Sequence, residues 1–561
     1  MPAGYKNRTT PGVYITELNA FPPTIVGVQT AVPAFIGFTE FAALSGKPAY
    51  NKAIKVGSML DFETYFGKQY PAVYTIMPTT PNATNDNYDF KVLWEPTSPF
   101  VSPPPGSPPI DGYLYYFLQD PPYDFLLYDS MRLFYANGGG TCYVVSVGNY
   151  ATAVQEARGV TLTPLLEGLK VIKEQSGPTM LVIPDAVLLP GTAIDTTAQA
   201  TDRSLSAYTP PQVSTDFGTL VTEMLKQCVE LQDRVAILDV YGSQSVKDAS
   251  TLDTVISQFR SYINNDSPSY GMAYFPFLHT TVMQPNDFNY TNLTPLSRLQ
   301  QILRMENQTL YGMPGSELRF GQVNQSITNM SPSITDPTNP VAVTTLNQNL
   351  SASIPLLIDI ERVMIEKNSV LPPSAAMAGV YTYIDGTRGV WNAPANIGLT
   401  SVDRTTYKLN DKQQGELNMP IDGKAIDALR EFVGRGTIVW GARTLDGNSN
   451  DWRYIQIRRT IIYIEQSVKA ALNPFVFAPN DANTWVTVTA MVSNFLETLW
   501  AQGGLMGAKS SDAFTVQCGL GTTMTGMDVL NGYMVVQITL QMIHPAEFIE
   551  LTFKQKMEGV G

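Results

Sequence analysis

Residues 220–231, LVTEMLKQCVEL, followed by residues 234–240, RVAILDV, decide the fold class. In the first stretch the apolar residues return at helical spacing. The second is a short, nearly continuous apolar run of the kind that forms a buried strand. The pair recurs along the chain. Leu165 to Gln175 is helical in period and leads into the apolar run Thr179 to Ile183, and Met272 to Phe277 is a third such run. Apolar strands that follow amphipathic helices predict an α/β domain, its sheet mainly parallel and covered on both faces. Asp185 and Asp239 fall at the ends of two of these strands, where such sheets often carry function. Capping of the next turn or helix is the plainer role for each.

Beyond about residue 400 a second α/β unit is expected. A helix from Trp452 to Leu472 puts Ile457, Ile461, Ile464, Val468 and Leu472 on one stripe and stops at Asn473-Pro474. Another runs from Thr484 to Gln502 with Trp485, Val488, Val492, Leu496 and Leu499 on one face, and Gly503-Gly504 caps it. Val536 to Met542 and Phe548 to Lys554 alternate as strands on either side of His544-Pro545, and Val13 to Leu18 does the same near the start, after Pro11-Gly12. Both ends of the chain thus carry a short amphipathic strand cut off by proline. A lone strand cannot satisfy its own backbone groups, so each must join a sheet in this chain or another. Three stretches, at about 71–125, 187–215 and 325–350, are rich in Pro, Ser, Thr and Asn and predict surface insertions.

At 561 residues the chain is too long for one core. A net charge of −13, with no Lys/Arg-rich run, argues against a nucleic-acid partner. No secretory signal peptide and no membrane-spanning segment are expected: the first ten residues lack an apolar run, and no stretch approaches 18 consecutive apolar residues. Charged residues make up only 15% of the chain while 28 Tyr and 24 Phe are present, which suits a protein that buries surface against partners. Cys142, Cys228 and Cys518 are expected as free thiols in a protein made in a reducing compartment. With only His279 and His544 available, no metal site and no cofactor are expected.

Thr10 to Glu17, Thr30 to Gly37, Phe62 to Gly67, Phe134 to Gly139, Leu371 to Ser374, Gly389 to Asn396, Val439 to Leu445 and His544 to Ile549 form a series along the chain. Taken in that order, they resemble segments of the tail sheath proteins of contractile phage tails, pyocins and extracellular contractile injection systems. The resemblance implies a mixed α/β, multidomain protein. Its expected parts are an N-terminal arm (1–25), central and outer α/β domains (26–400, the central one subtilisin-like), a C-terminal inner domain (401–543) and a C-terminal arm strand (544–561). The N- and C-terminal parts are expected to form a composite inner domain.

In such sheaths the arms add as strands to neighbouring subunits. Mapped here, the arms are Val13, Tyr14, Ile15, Thr16, Glu17 and Leu18, and Phe548, Ile549, Glu550, Leu551, Thr552 and Phe553. The resemblance further implies a helical homo-oligomer of stacked rings, an inner tube, baseplate and terminal cap proteins, and possible paralogous sheath subunits. Synthesis in the bacterial cytoplasm and residence in a phage tail or injection particle follow from it. So does contraction without catalysis or membrane insertion. The stripe Trp485, Val488, Val492, Leu496 and Leu499 is the expected tube-facing helix, unless it is ordinary core.

Two rivals come from other classes. An α/β hydrolase would need His279 or His544 as its base, with Asp185 or Asp239 at strand ends, yet no Gly-x-Ser-x-Gly elbow is present, and His544 sits before Pro545 in an arm linker. A surface-binding module would use the Tyr- and Pro-rich loops, but strands at both termini favour a polymer. Arg443 and Glu547 lie in family-like segments and are expected to be structural.

Overall fold

The computed structural model describes residues 25–81, 88–94, 109–156, 159–193, 212–264, 267–330, 340–548 and 550. They fall into two compact units, one within residues 29–462 and one that joins residues 25–28 to residues 463–548 and 550. The division lies within the helix Ile455–Leu472, well beyond the boundary near 400 expected from sequence. The reason is the strand Asp427–Phe432, which pairs in parallel with Gly271–Phe275 and so belongs to the larger unit's sheet. Among the described residues the smaller unit combines 25–28 with chain that follows residue 462.

The larger unit is organised on an eight-stranded sheet. Its six inner strands, Cys142–Asn149, Pro33–Thr39, Met180–Val182, Val235–Asp239, Gly271–Phe275 and Asp427–Phe432, run parallel in that spatial order. Ile54–Val56 and Gly436–Val439 close the two edges antiparallel. Successive residues of a strand face opposite sides. Phe35 accordingly meets Phe134 of the helix Leu127–Ala136, ring centroids 5.1 Å apart. Its neighbour Ile36 faces Gly168 of Leu162–Lys173, where an added Cβ would lie 2.5 Å from the Ile36 methyl. Glycine there lets a helix approach the sheet more closely than any larger residue would permit. Helices therefore cover both faces, as the alternation of helix and apolar strand predicts. The 234–240 run becomes the fully buried strand Val235–Asp239, behind the helix Thr215–Leu231.

Two stretches expected as irregular insertions instead build a second core within this unit. Tyr74–Thr79 pairs antiparallel with Tyr113–Gln119, which pairs antiparallel with Phe90–Leu93, and Leu293–Thr294 completes a four-stranded sheet. The helices Leu296–Tyr311, Glu317–Thr328, Pro340–Ser353 and Pro355–Asn368 contribute to the same cluster, through Leu299, Ile327, Leu350 and Ile360 among others. In Tyr113–Gln119 the alternation of buried Leu114, Tyr116 and Leu118 carries the strand. In Pro340–Ser353 tertiary burial overrides a Thr-, Ser- and Asn-rich composition. Of the 187–215 stretch, Thr192–Ala193 pairs with Gln212–Val213, and the residues between them lie outside the described set.

In the smaller unit the helix Ala482–Ala501 starts at Asp481, whose carboxylate accepts the Thr484 N–H at 2.9 Å. It ends at Gly503, whose φ of +80° supplies the left-handed cap, and the Gly504 N–H donates to the Leu499 carbonyl. A two-stranded sheet, Phe514–Gln517 with Gln537–Leu540, packs against this helix.

Candidate assembly surface

The two aspartates that would serve a hydrolase are occupied by structural work. Both oxygens of buried Asp239 accept hydrogen bonds from Ser374, its backbone N–H at 2.7 Å and its hydroxyl at 2.5 Å, so the aspartate fixes the start of the helix Ser374–Thr387. Asp185, also buried, accepts the N–H groups of Phe38 at 2.9 Å and Leu126 at 2.7 Å. Burial pushes both carboxyls up to about 7, against the opposing pull of these hydrogen bonds. His279 sits on the strand Leu278–Thr280, and its buried Nδ1 has no hydrogen-bond partner. Burial and nearby Arg404 hold its pKa below the usual histidine value. The three groups are not assembled into a Ser-His-Asp relay. Arg443 is buried, its N–H donating to Asp427 at 2.8 Å and its guanidinium 5.8 Å from the Tyr454 ring centre. Among the described residues no group of three or more His, Cys, Asp or Glu could hold a metal ion, and no helix is long and apolar enough to cross a membrane. All three cysteines are free, Cys142 and Cys228 buried and Cys518 half-buried.

The five residues expected to face a tube divide differently. Val488, Val492, Leu496 and Leu499 are buried within the smaller unit, and Trp485 is half-buried, its Nε1 donating to Asn480 at 2.7 Å. This stripe is core. An amphipathic helix must bury one face, and here the hairpin covers part of it. The opposite face, with Asn483, Val486, Asn494 and Glu497, is exposed. Of the expected arm strands, Val13 to Leu18, Ile549 and Leu551 to Phe553 lie outside the described residues, while Phe548 and Glu550 are in irregular chain.

Gln537–Leu540 lies within the strand read from the sequence at Val536 to Met542; its pairing with Phe514–Gln517, and the edges that pairing leaves, are what the sequence did not bring forward. Neither strand has a buried residue, and among the described residues neither outer edge is paired. The Gln541 N–H donates to the Ala513 carbonyl at 2.8 Å, which fixes the phase of the ladder. In an antiparallel pair bonded and non-bonded residues alternate, so Thr515/Thr539 and Gln517/Gln537 pair inward. The backbone groups of Phe514, Val516, Ile538 and Leu540 then point to the two open edges. Exposed apolar side chains accompany these edges in the same unit: Leu520, Met527, Leu530, Tyr533 and, fully exposed with a φ of +69°, Phe477. A bulky residue held in the left-handed region is strained, and such strain collects at functional positions. At the N-terminal side of this unit, the Val28 N–H donates to Ser467 Oγ at 3.1 Å, and the Tyr463 phenol leaves no room for a Cβ at Gly27.

Residues 448–556 match the phage tail sheath C-terminal domain, which takes in the helix and the hairpin just described. The structure matches the sheath of an extracellular contractile injection system, PVC, in its contracted state. That match covers 98% of this chain and 99% of the other at 24% identity, with a TM-score of 0.54. The contracted helical sheath of the anti-feeding prophage gives the same TM-score of 0.54 over 98% and 100% of the two chains, again at 24% identity. The fold is that of contractile sheath proteins. In sequence the chain is 28% identical over 144 residues to the tail sheath protein of Burkholderia phage BcepMu, a stretch that spans 25% of this chain and 30% of that relative.

The sheath-like segments read from the sequence that fall within the larger unit lie where its elements join; Thr10 to Glu17 is outside the described residues, and His544 to Phe548 belongs to the smaller unit. Phe62 and Phe66 are the buried side of the helix Met59–Phe66, and Ser374 is the residue held by Asp239. The Asn396 N–H donates to the Val439 carbonyl at 2.7 Å, and the Leu399 N–H to Thr437 at 2.9 Å, so the sheath-like residues near 396 cover the outer side of an edge strand. These motifs maintain the sheath fold.

Proposed function

We propose that the chain is a structural subunit that polymerises into a helical contractile sheath around an inner tube. Rearrangement from an extended to a contracted lattice then drives the tube outward. The observation that carries this reading is the open hairpin, in a unit composed of both chain ends, within a fold matched from end to end by sheath proteins. Two open edges in one sheet suit the addition of strands from neighbouring subunits, here the N- and C-terminal arms. Each added backbone bond contributes about 0.5–1.5 kcal/mol net, and a joint repeated at every subunit of a helix sums to a stable lattice. The two ends of such a joint are different surfaces, which is the geometry that generates a helical filament.

The exposed face of the helix Ala482–Ala501 is the candidate contact with the inner tube, in place of its buried stripe. Baseplate and terminal cap proteins would meet the same subunit at the ends of the sheath. The subunit performs no catalysis in this reading, and a fluorophosphonate probe should label no serine. Negative-stain electron microscopy is the test. Long hollow striated cylinders are expected from the full chain, and a chain lacking residues 1–20 should not form them. Cylinders that survive the truncation would remove the N-terminal arm from the account. Discrete monomers alone, even with a tube protein co-expressed, would overturn the sheath reading.

A further inference from the structure

Within the larger unit, the chain that leads into the sheet is tied down immediately before it. The Thr30 carbonyl accepts two hydrogen bonds, from Thr179 Oγ1 at 2.7 Å and from Arg459 Nη2 at 3.1 Å. Thr179 Oγ1 in turn accepts the Val32 N–H at 2.9 Å, and the Thr179 N–H donates to the Val32 carbonyl at 2.8 Å. Arg459 is itself fixed. Two hydrogen bonds, of 2.9 and 2.6 Å, join it to Asp385, and both side chains are 4% exposed. Its guanidinium lies 4.6 Å from the centre of the Tyr381 ring, and the Tyr381 hydroxyl shares a 2.7 Å hydrogen bond with that of Tyr274.

Burying an ion pair is costly and seldom stabilises a fold by itself. Here one nitrogen of the buried guanidinium is committed to a main-chain carbonyl of a linker. Directly after Val32 comes Pro33–Thr39, which pairs in parallel with Cys142–Asn149 on one side and Met180–Val182 on the other.

We infer that Thr30–Val32, Thr179, Arg459 and Asp385 form a mechanical anchor, which delivers a pull on the chain before Thr30 into an inner strand of the eight-stranded sheet. A strand drawn along its own axis loads the ladder bonds on both of its flanks together. A peeled strand loads them one at a time. With Thr30 and Val32 clamped, tension enters in the first mode. This role rests on the reading that the N-terminal segment is joined to a neighbouring subunit.

The test compares the full chain with Thr179→Val, which keeps the side-chain shape and removes the hydroxyl, and with Thr179→Ser, which restores it. By hydrogen exchange, the Val32 amide should exchange about tenfold faster in Thr179→Val, while Thr179→Ser stays close to wild type. Cylinders of Thr179→Val, sheared beside wild type, should break into shorter pieces, and those of Thr179→Ser should not. Unchanged exchange in Thr179→Val would overturn the clamp. Faster exchange with unchanged fragment length would overturn its load-bearing role. Failure of the wild-type chain to form cylinders would remove the sheath reading and that role with it, while the exchange data would still report whether the clamp exists.

Discussion

Pro33–Thr39 in the larger unit has every residue buried and a parallel partner on each side. Gln537–Leu540 in the smaller unit has no buried residue and, among the described residues, a partner strand on one side only. Both are strands of one chain, and the same rule governs them: main-chain donors and acceptors must be satisfied somewhere. In the first they are satisfied inside the subunit, where they stabilise it. In the second, half of them have no strand partner among the described residues. The contrast separates what holds the subunit together from what, in the proposed sheath, would join one subunit to the next, and each side of it can be attacked alone.

The largest effect is expected from Ile538→Pro, which removes an edge-facing N–H and leaves the inward-paired Thr539 and Gln537 donors in place. Cylinders should be lost under electron microscopy while the purified chain keeps a cooperative unfolding transition. Phe35→Ala should do the reverse. Loss of a ring packed on Phe134 should cost about 3–5 kcal/mol in urea unfolding, with the joint itself untouched.

A smaller effect follows from Asp185 and Asp239. Burial raises both to about 7, above the usual aspartate value of about 4. The folded state therefore binds protons more tightly than the unfolded chain over that interval. The resulting stability is fully present below about pH 4 and is lost as the pH rises through about 7. Urea midpoints should thus be higher at pH 5 than at pH 8, and Asp239→Asn should flatten the trend. The smallest effect on the subunit is expected from Val486→Ser, on the exposed face of Ala482–Ala501. It should change stability by less than about 0.5 kcal/mol. Co-sedimentation with the inner tube should weaken, and unchanged co-sedimentation would remove this face from the tube contact.

The sheet of the larger unit was legible because its strands are buried on both faces and so read as apolar runs such as residues 234–240. The second core was harder to see. Proline-rich sequence around 71–125 masks the alternation of Leu114, Tyr116 and Leu118, and composition favours a loop over the helix Pro340–Ser353. The stripe Val488, Val492, Leu496 and Leu499 shows the limit of periodicity. It reports that one face of a helix is covered, and an apolar face packed inside the subunit reads the same as one that meets a partner. The open edges of the hairpin were not legible at all, because a backbone donor leaves no mark in the sequence when nothing pairs with it. The anchor at Thr30 escaped for a related reason: a carbonyl is shared by every residue type, and only the fold brings Thr179 and Arg459 to it.

The phase of the hairpin bears on divergence. The residues that offer edge-facing backbone, Phe514, Val516, Ile538 and Leu540, are the half-buried ones, whereas Thr515, Gln517, Gln537 and Thr539 expose their side chains. An incoming strand that pairs there reads peptide groups common to every amino acid. The exposed positions are then free to drift without unmaking the joint, and subunits whose sequences have moved apart could still be built into one lattice.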